Sequence, residues 1–377
     1  MPANPFTPGY GIMPPYIAGR EREQEILGES LENLAASRGP RSILMIGPRG
    51  CGKTVLIEWC REQVGKISGK VRIKELIGDI PSDVREIASS LIDPSGGFRP
   101  REATAKLNVG IASADMRFSG DTAKREGSVD SLVEQCAKSP MLLVVDEAAR
   151  KSPQGMGDLL ELTQVINSRS KSLLLIIAGT PGTTEVLRAS GATFFDRGQG
   201  MNIGLLPVEA SKDALVKPLA RQGISITDSA LAQVVEESQG FPFFLQEWGK
   251  ALFDEARRAN RNEVLAADVD ATAAKMRESR EQTYQSRYEE WRESDIDLLA
   301  RVLRDTKDLR ERGNFTKADL LGAVSKILPE LEGNDTRAEA FTQQILNTGC
   351  LWKPLGSPHL ISGLPSFISH VTENRVS

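Results

Sequence analysis

Eight consecutive residues, Gly47-Pro48-Arg49-Gly50-Cys51-Gly52-Lys53-Thr54, set glycines, a lysine and a hydroxyl at the spacing G-x-x-x-x-G-K-[ST]. Each residue type answers a chemical need. Gly47, Gly50 and Gly52 let the main chain approach an anion more closely than a side chain would allow. Backbone N–H groups, and the positive end of a following helix, can then face a β-phosphate. Lys53 would reach β- and γ-phosphate oxygens as a point charge, and Thr54 would offer its hydroxyl to Mg²⁺. Val55 completes the segment expected to border the phosphates. The competing reading, a glycine-rich turn before an ordinary helix, predicts no partner elements downstream.

A second constellation lies roughly ninety residues on. Met141-Leu142-Leu143-Val144-Val145 is an apolar run that ends in Asp146-Glu147. Continuous apolar sequence is what a strand buried on both faces requires. Two carboxylates at its end suit a metal-holding Asp146 and a Glu147 that polarises an attacking water. The two constellations together are the Walker A and Walker B patterns, and the expected ligands are ATP and Mg²⁺.

These residues must be brought together by flanking elements. Ser42 to Ile46 reads as a buried strand leading into the glycine loop, and Lys53 to Val64 as a helix leaving it. Lys70 to Ile77 alternates and reads as a strand, with Val71, Ile73 and Leu76 inward. Helices are expected over 21–36, 83–92, 128–138, 157–168 and from 185. Further strands are expected over Ser172 to Ala178 and Met201 to Pro207. Strands alternating with helices predict an α/β fold with a parallel sheet covered on both faces. Lys106 to Phe118 reads as a hairpin or extended insertion, either decoration or a loop facing a partner or DNA.

From Val208 the patterns become helical. Three helices are expected over 211–221, 228–237 and 240–259, with Phe243, Phe244 and Trp248 as core. A charged helical connector follows to Glu289. Helices over 295–304, 317–328 and 336–347, two short strands about a Gly-Ser-Pro turn, and a last short helix suggest a winged helix. The expected division is a mobile Pro-rich arm (1–15), a nucleotide-binding core (16–206), a helical lid (207–275) and a connector with a winged-helix-like domain (276–377).

Composition narrows the function classes. The 377 residues are 40% hydrophobic, with 47 Lys and Arg against 51 Asp and Glu, a net charge of −4. That balance gives no reason to expect a nucleic-acid-binding surface over the whole molecule. From residue 285 onward about twelve Lys and Arg face about fourteen Asp and Glu, so DNA binding there has no excess positive charge to support it. The third helix of this region offers chiefly Arg337 among cations, so protein contacts and DNA contacts stand as equal alternatives. No stretch has the roughly 18 apolar residues of a membrane helix. The N-terminus lacks a signal-peptide pattern, and a cytoplasmic setting is expected. The cysteines Cys51, Cys60, Cys136 and Cys350 show no C-x-x-C spacing, and with two histidines they suggest neither zinc nor disulfides. Cys51 reads as a small residue fitted to a tight turn, the alternative being a redox-sensitive thiol.

The two Walker patterns, with Tyr16-Ile17-Ala18-Gly19-Arg20-Glu21 about thirty residues ahead of the first, resemble AAA+ and STAND-type ATPases, bacterial and replication-initiator-like members among them. The resemblance implies that Tyr16, Ile17 and Ala18 help line the base pocket. Thr180, just past the third buried strand, matches the sensor 1 position, the alternative being a plain Thr-Pro-Gly turn. Arg197, or Arg188 in reserve, matches the arginine-finger segment, the alternative being a surface arginine paired with Asp196. Gly240-Phe241-Pro242 resembles the lid start whose proline backbone packs on the nucleotide, although the arginine common in that helix is missing. The implied function is an ATP-binding and ATP-hydrolysing switch, slow or partner-stimulated, that self-associates or engages a partner protein. The alternatives are a DNA-acting ATPase (loader, transposition or replication regulator) and a nucleotide-holding interaction subunit with little turnover.

Overall fold

A computed structural model describes residues 3–9, 11–67, 71–92, 128–191, 198–328 and 334–373. The expected 106–118 insertion and Arg197 lie outside the described residues.

The core is a five-stranded parallel sheet built from β1 (Ile43–Ile46), β2 (Arg72–Glu75), β3 (Met141–Val145), β4 (Leu173–Gly179) and β5 (Gln199–Asn202), in the order β2-β3-β4-β1-β5. The runs that are apolar throughout become its middle: every residue of β1, β3 and β4 is buried. The alternating β2 sits at one edge, as a half-solvated strand should. The register sets Ile46 beside Gly179 and Val145 beside Ile177, so β1, β3 and β4 end at one rim of the sheet.

Helices α1 (Glu21–Ala35) and α2 (Lys53–Ile67) belong to the apolar cluster on one face. Helices α3 (Val84–Ile92), α4 (Ser128–Lys138) and α5 (Pro153–Arg169) belong to the cluster on the other. Ser152 caps α5 by accepting from the Gly155 N–H, and Pro153 opens the helix where its missing N–H costs nothing. Helix α6 (Thr183–Ala189) follows β4.

Beyond β5 come α7 (Val208–Arg221), α8 (Asp228–Ser238) and α9 (Pro242–Arg258); β6 (Ser225–Ile226), between α7 and α8, pairs in parallel with β7 (Glu263–Val264), which follows α9. The long α10 (Ala266–Gln285) leads to α11 (Glu293–Asp305), α12 (Lys307–Glu311), α13 (Lys317–Ile327) and α14 (Asn334–Thr348). An antiparallel hairpin of β8 (Leu351–Trp352) and β9 (Ile361–Ser362) follows, then α15 (Pro365–Glu373). Thr316 and Asp319 cap α13 reciprocally. No helix among the described residues is long and apolar enough to cross a membrane.

Residues 3–9, read from the sequence as part of a mobile arm, lie docked on α9. Phe6 is buried in the apolar cluster of α7 to α10, and a methyl group on Gly249 would come within 2.3 Å of its ring. The Asn4 amide donates to the Lys250 carbonyl at 3.0 Å and to Asp254 at 2.8 Å. Proline-rich composition signals chain stiffness as much as mobility, and here one aromatic anchor decides the outcome.

The C-terminal hairpin also reaches the core. Asn202 of β5 gives its amide to the Leu355 carbonyl (3.1 Å) and takes the Leu355 N–H (2.7 Å). Trp352 packs against side chains of the sheet, and Lys317 pairs with Glu185 of α6 at 3.6 Å.

Candidate functional site

The glycine loop joins β1 to α2 at the rim where β3 and β4 also end. Gly50 (φ +85°) and Gly52 (φ +93°) take backbone angles that L side chains rarely adopt. Around Gly52 a methyl group would meet nothing within 4 Å, so the loop opens onto free space there. At Gly47 the same group would clash with the Ile203 carbonyl at 1.8 Å, which fixes the loop against the segment leaving β5.

Lys53 begins α2 with its ammonium folded back over the loop. Nζ donates to the carbonyls of Gly47 (2.7 Å) and Pro48 (2.8 Å). The side chain is 9% exposed, and burial lowers its pKa to about 8, an effect that Cys51 and Asp146 partly offset and Arg49 and Arg287 reinforce. Thr54, one residue on, donates its hydroxyl to Oδ2 of Asp146 at 3.0 Å. Asp146 stands immediately past β3, and its other oxygen accepts the Glu147 N–H at 2.8 Å. Glu147 itself is left-handed (φ 52°), a conformation that costs an L residue energy and turns its side chain outward. That side chain is 60% exposed and pairs with Arg150 at 3.1 Å. Thr180 directly follows β4, and its carbonyl accepts the Thr183 N–H at 2.9 Å to open α6.

The structure thus brings Gly47 to Thr54, Asp146, Glu147 and Thr180 to one rim. A buried ammonium, an open cradle beside Gly52 and a hydroxyl–carboxylate pair are the donor set that phosphates and a hard divalent cation require. The residues therefore fit nucleotide phosphate with Mg²⁺. Arg49 lies exposed on the loop, and Val55 is half-buried in the first turn of α2.

The remaining candidates lie among the helices that follow β5 and the segment that precedes α1. Tyr16 packs against the apolar cluster of α7 to α10, and the Lys217 ammonium lies 4.3 Å over its ring and donates to its hydroxyl at 2.7 Å. Ala18 is buried in the same cluster, while Ile17 is half-buried. Pro242 opens α9.

Two residues in contact with the loop were not singled out from the sequence. Phe241, next to Pro242, is 1% exposed, and a methyl on Gly50 would come within 2.5 Å of its ring. Phe241 meets Phe244 with tilted rings (centroids 4.8 Å apart), Phe244 meets Tyr284 (6.2 Å), and Tyr284 meets Phe367 (5.7 Å). Aromatic rings thus run from the loop through α9 and α10 to α15. The signal was the Gly-Phe-Pro sequence, whose phenylalanine reads as generic core. Arg20 is the second. It is 7% exposed and donates to the carbonyls of Cys51 (3.2 Å) and Gly204. A third contact comes from the C-terminal hairpin: a methyl on Gly363 would come within 2.7 Å of Pro48.

Comparison with known proteins agrees with this architecture. A family profile described as AAA domain matches residues 36–187, the stretch that carries the loop, Asp146, Glu147 and Thr180. A Walker-type ATPase of Pyrococcus abyssi is similar over 95% of this chain and 96% of its own, at 16% identity and a TM-score of 0.54. The ORC2 protein of Aeropyrum pernix, solved in ADPNP and ADP complexes, is similar over 98% of this chain and 97% of its own, at 11% identity and a TM-score of 0.54. A search of curated proteins finds no match. At these identities the likeness concerns the fold, and the fold is that of the P-loop AAA+ ATPases.

Proposed function

We propose that the chain binds ATP with Mg²⁺ at the Gly47 to Thr54 loop, hydrolyses it slowly, and uses the nucleotide state to set the position of its lid and C-terminal unit. The observation that carries this reading is the arrangement of Lys53, Thr54 and Asp146 around the open space beside Gly52.

In this reading Gly47 to Val55 contact the phosphates. Lys53 exchanges its two loop carbonyls for β- and γ-phosphate oxygens, a stronger charge-assisted partnership. Thr54 and Asp146 hold Mg²⁺, directly or through water. Bound there, Mg²⁺ supplies positive charge that offsets the charge on the phosphate oxygens as the terminal bond breaks. Glu147 takes the proton of the attacking water. Its pair with Arg150 is exposed on both sides, so it is worth little and yields readily to that role. Thr180 senses the γ-phosphate from the end of β4, and Arg197 acts on the site of a neighbouring subunit. Tyr16, Ile17 and Pro242 border the base.

Residues 16–206 form the nucleotide-binding core, 207–275 the lid, and 276–377 the connector with a winged-helix-like unit whose partner is a protein or a second copy. The contacts of Phe241 with Gly50 and of Gly363 with Pro48 support coupling between the loop and both other parts.

Replacing Lys53 by Ala is the direct test. Calorimetry should show ATP binding in the wild type and none in the variant; equal affinity would remove the site. Turnover measured across protein concentration, with and without DNA, separates a self-assembling switch from a DNA-acting ATPase, since DNA stimulation is expected only of the second.

A further inference from the structure

A phosphate-binding loop works only if its N–H groups face the ligand and its carbonyls face away. In a trans peptide the carbonyl oxygen of one residue and the N–H of the next point in opposite directions. Among the described residues no peptide bond is cis. Whatever holds the Cys51 carbonyl therefore aims the Gly52 N–H.

Arg20 holds that carbonyl. Its guanidinium donates to the Cys51 oxygen at 3.2 Å and, with the same nitrogen, to the Gly204 oxygen. The Gly52 N–H thus points away from Arg20, at a glycine where an added methyl would meet nothing within 4 Å. We infer that Arg20 is a positioning residue of the phosphate loop: it fixes the Cys51–Gly52 peptide with its N–H toward the ligand, and ties that peptide to the segment that leaves β5 for the lid.

The placement of Arg20 is itself constrained. Gly19 (φ +62°) has no room for a side chain, since a methyl would lie 2.5 Å from the Ala210 Cβ, and its N–H is taken by Glu21 at 3.2 Å. Upstream, Arg221 of α7 donates to the Pro15 carbonyl at 2.6 Å, and Phe6 fills the notch at Gly249. The arm is thus pinned at three places before it delivers the guanidinium. Leu206, two residues past Gly204, donates its N–H to the Gly240 carbonyl at 2.8 Å, so the second Arg20 contact leads directly to the start of α9. Among the described residues the hydrogen-bond partners of Arg20 are main-chain carbonyls, and a buried charge so placed serves those carbonyls. The inference builds on the nucleotide reading for its ligand, but the loop geometry can be measured without one.

Cys51 provides the probe. All four cysteines are free and buried, and only Cys51 belongs to the loop. Full-length wild type, Arg20→Ala and Arg20→Lys are treated without nucleotide with iodoacetamide, and labelling at each cysteine is followed by mass spectrometry. Arg20→Ala should label Cys51 about tenfold faster or more, with Cys60, Cys136 and Cys350 unchanged, because only the loop opens. Arg20→Lys, which keeps the charge but not the reach and planar shape of the guanidinium, should fall between. ATP affinity should drop in the same order, about tenfold or more for Arg20→Ala. Cys51 labelling at the wild-type rate in Arg20→Ala would overturn the inference. So would equal acceleration at all four cysteines, which marks a general loss of stability. If Arg20→Ala frees Cys51 selectively while wild type binds no ATP, the positioning role stands and the nucleotide reading falls. If wild type binds ATP and Arg20→Ala neither frees Cys51 nor weakens binding, the positioning role alone falls.

Discussion

The Thr54 hydroxyl donates to Oδ2 of Asp146 at 3.0 Å, joining the first turn of α2 to the end of β3. A hydroxyl oxygen and a carboxylate oxygen side by side are the hard donors that Mg²⁺ prefers. Asp146→Asn should therefore raise the Mg²⁺ concentration needed for half-maximal turnover by about 10- to 100-fold. A magnesium titration of ATPase rate checks this. An unchanged midpoint would remove Asp146 from the metal site.

The Lys53 ammonium gives binding a pH signature. Burial lowers its pKa from 10.5 to about 8 in the free protein. Bound phosphates favour the charged form and raise it again. Between those values binding takes up a proton, so affinity should be flat below about 8 and fall as pH rises beyond it. Calorimetry at pH 8.5 in buffers of different ionisation enthalpy should report net proton uptake. The sign for folding is the reverse. The unfolded chain holds more protons between about 8 and 10.5, so this group's contribution to stability rises with pH across that window.

Glu147 stands exposed in a left-handed conformation beside Arg150. Glu147→Gln keeps the shape and removes the base. Nucleotide affinity should persist while turnover falls about 100-fold or more. Single-turnover assays with equal enzyme concentrations separate the two effects. Hydrolysis at the wild-type rate would exclude Glu147 as the base.

Phe241 fills the space that Gly50 leaves. Its loss removes a buried ring, so Phe241→Ala should cost about 3–5 kcal/mol of stability by chemical denaturation. It should also weaken ATP binding through the loop it supports. A variant with lowered stability but wild-type affinity would confine Phe241 to packing.

The Asn202–Leu355 pair anchors the hairpin turn on the edge strand. Both bonds are solvent-accessible, so Asn202→Ala should cost only about 1 kcal/mol. Limited proteolysis should nonetheless cut the variant faster between β8 and β9, because the turn loses its attachment. Equal cleavage would place the attachment elsewhere, at Trp352 or Lys317.

Much of the core could be read directly. Met141–Val145 is apolar at every position because β3 has neighbours on both edges and helices on both faces, so no residue of it meets water. The eight-residue loop was legible because phosphate geometry leaves few choices of residue. Other features gave little signal. Lys307–Glu311 and the two-residue strands Ser225–Ile226 and Glu263–Val264 are too short for any periodicity. Phe6, Arg20 and Phe241 look ordinary in sequence because what distinguishes them is the neighbour each meets, Gly249, Cys51 and Gly50. Long-range pairing leaves no local trace.

The glycine loop is touched by three remote parts of the chain: Arg20 at Cys51, Phe241 at Gly50, and Gly363 beside Pro48. A ribosome makes these parts in order, and Gly363 emerges well after the loop and after both Arg20 and Phe241. A nascent chain released before Gly363 would own every residue of the phosphate loop and lack one of its walls. On the proposed function, competence to hold nucleotide would then trail the synthesis of the loop itself, waiting on residues translated long after it.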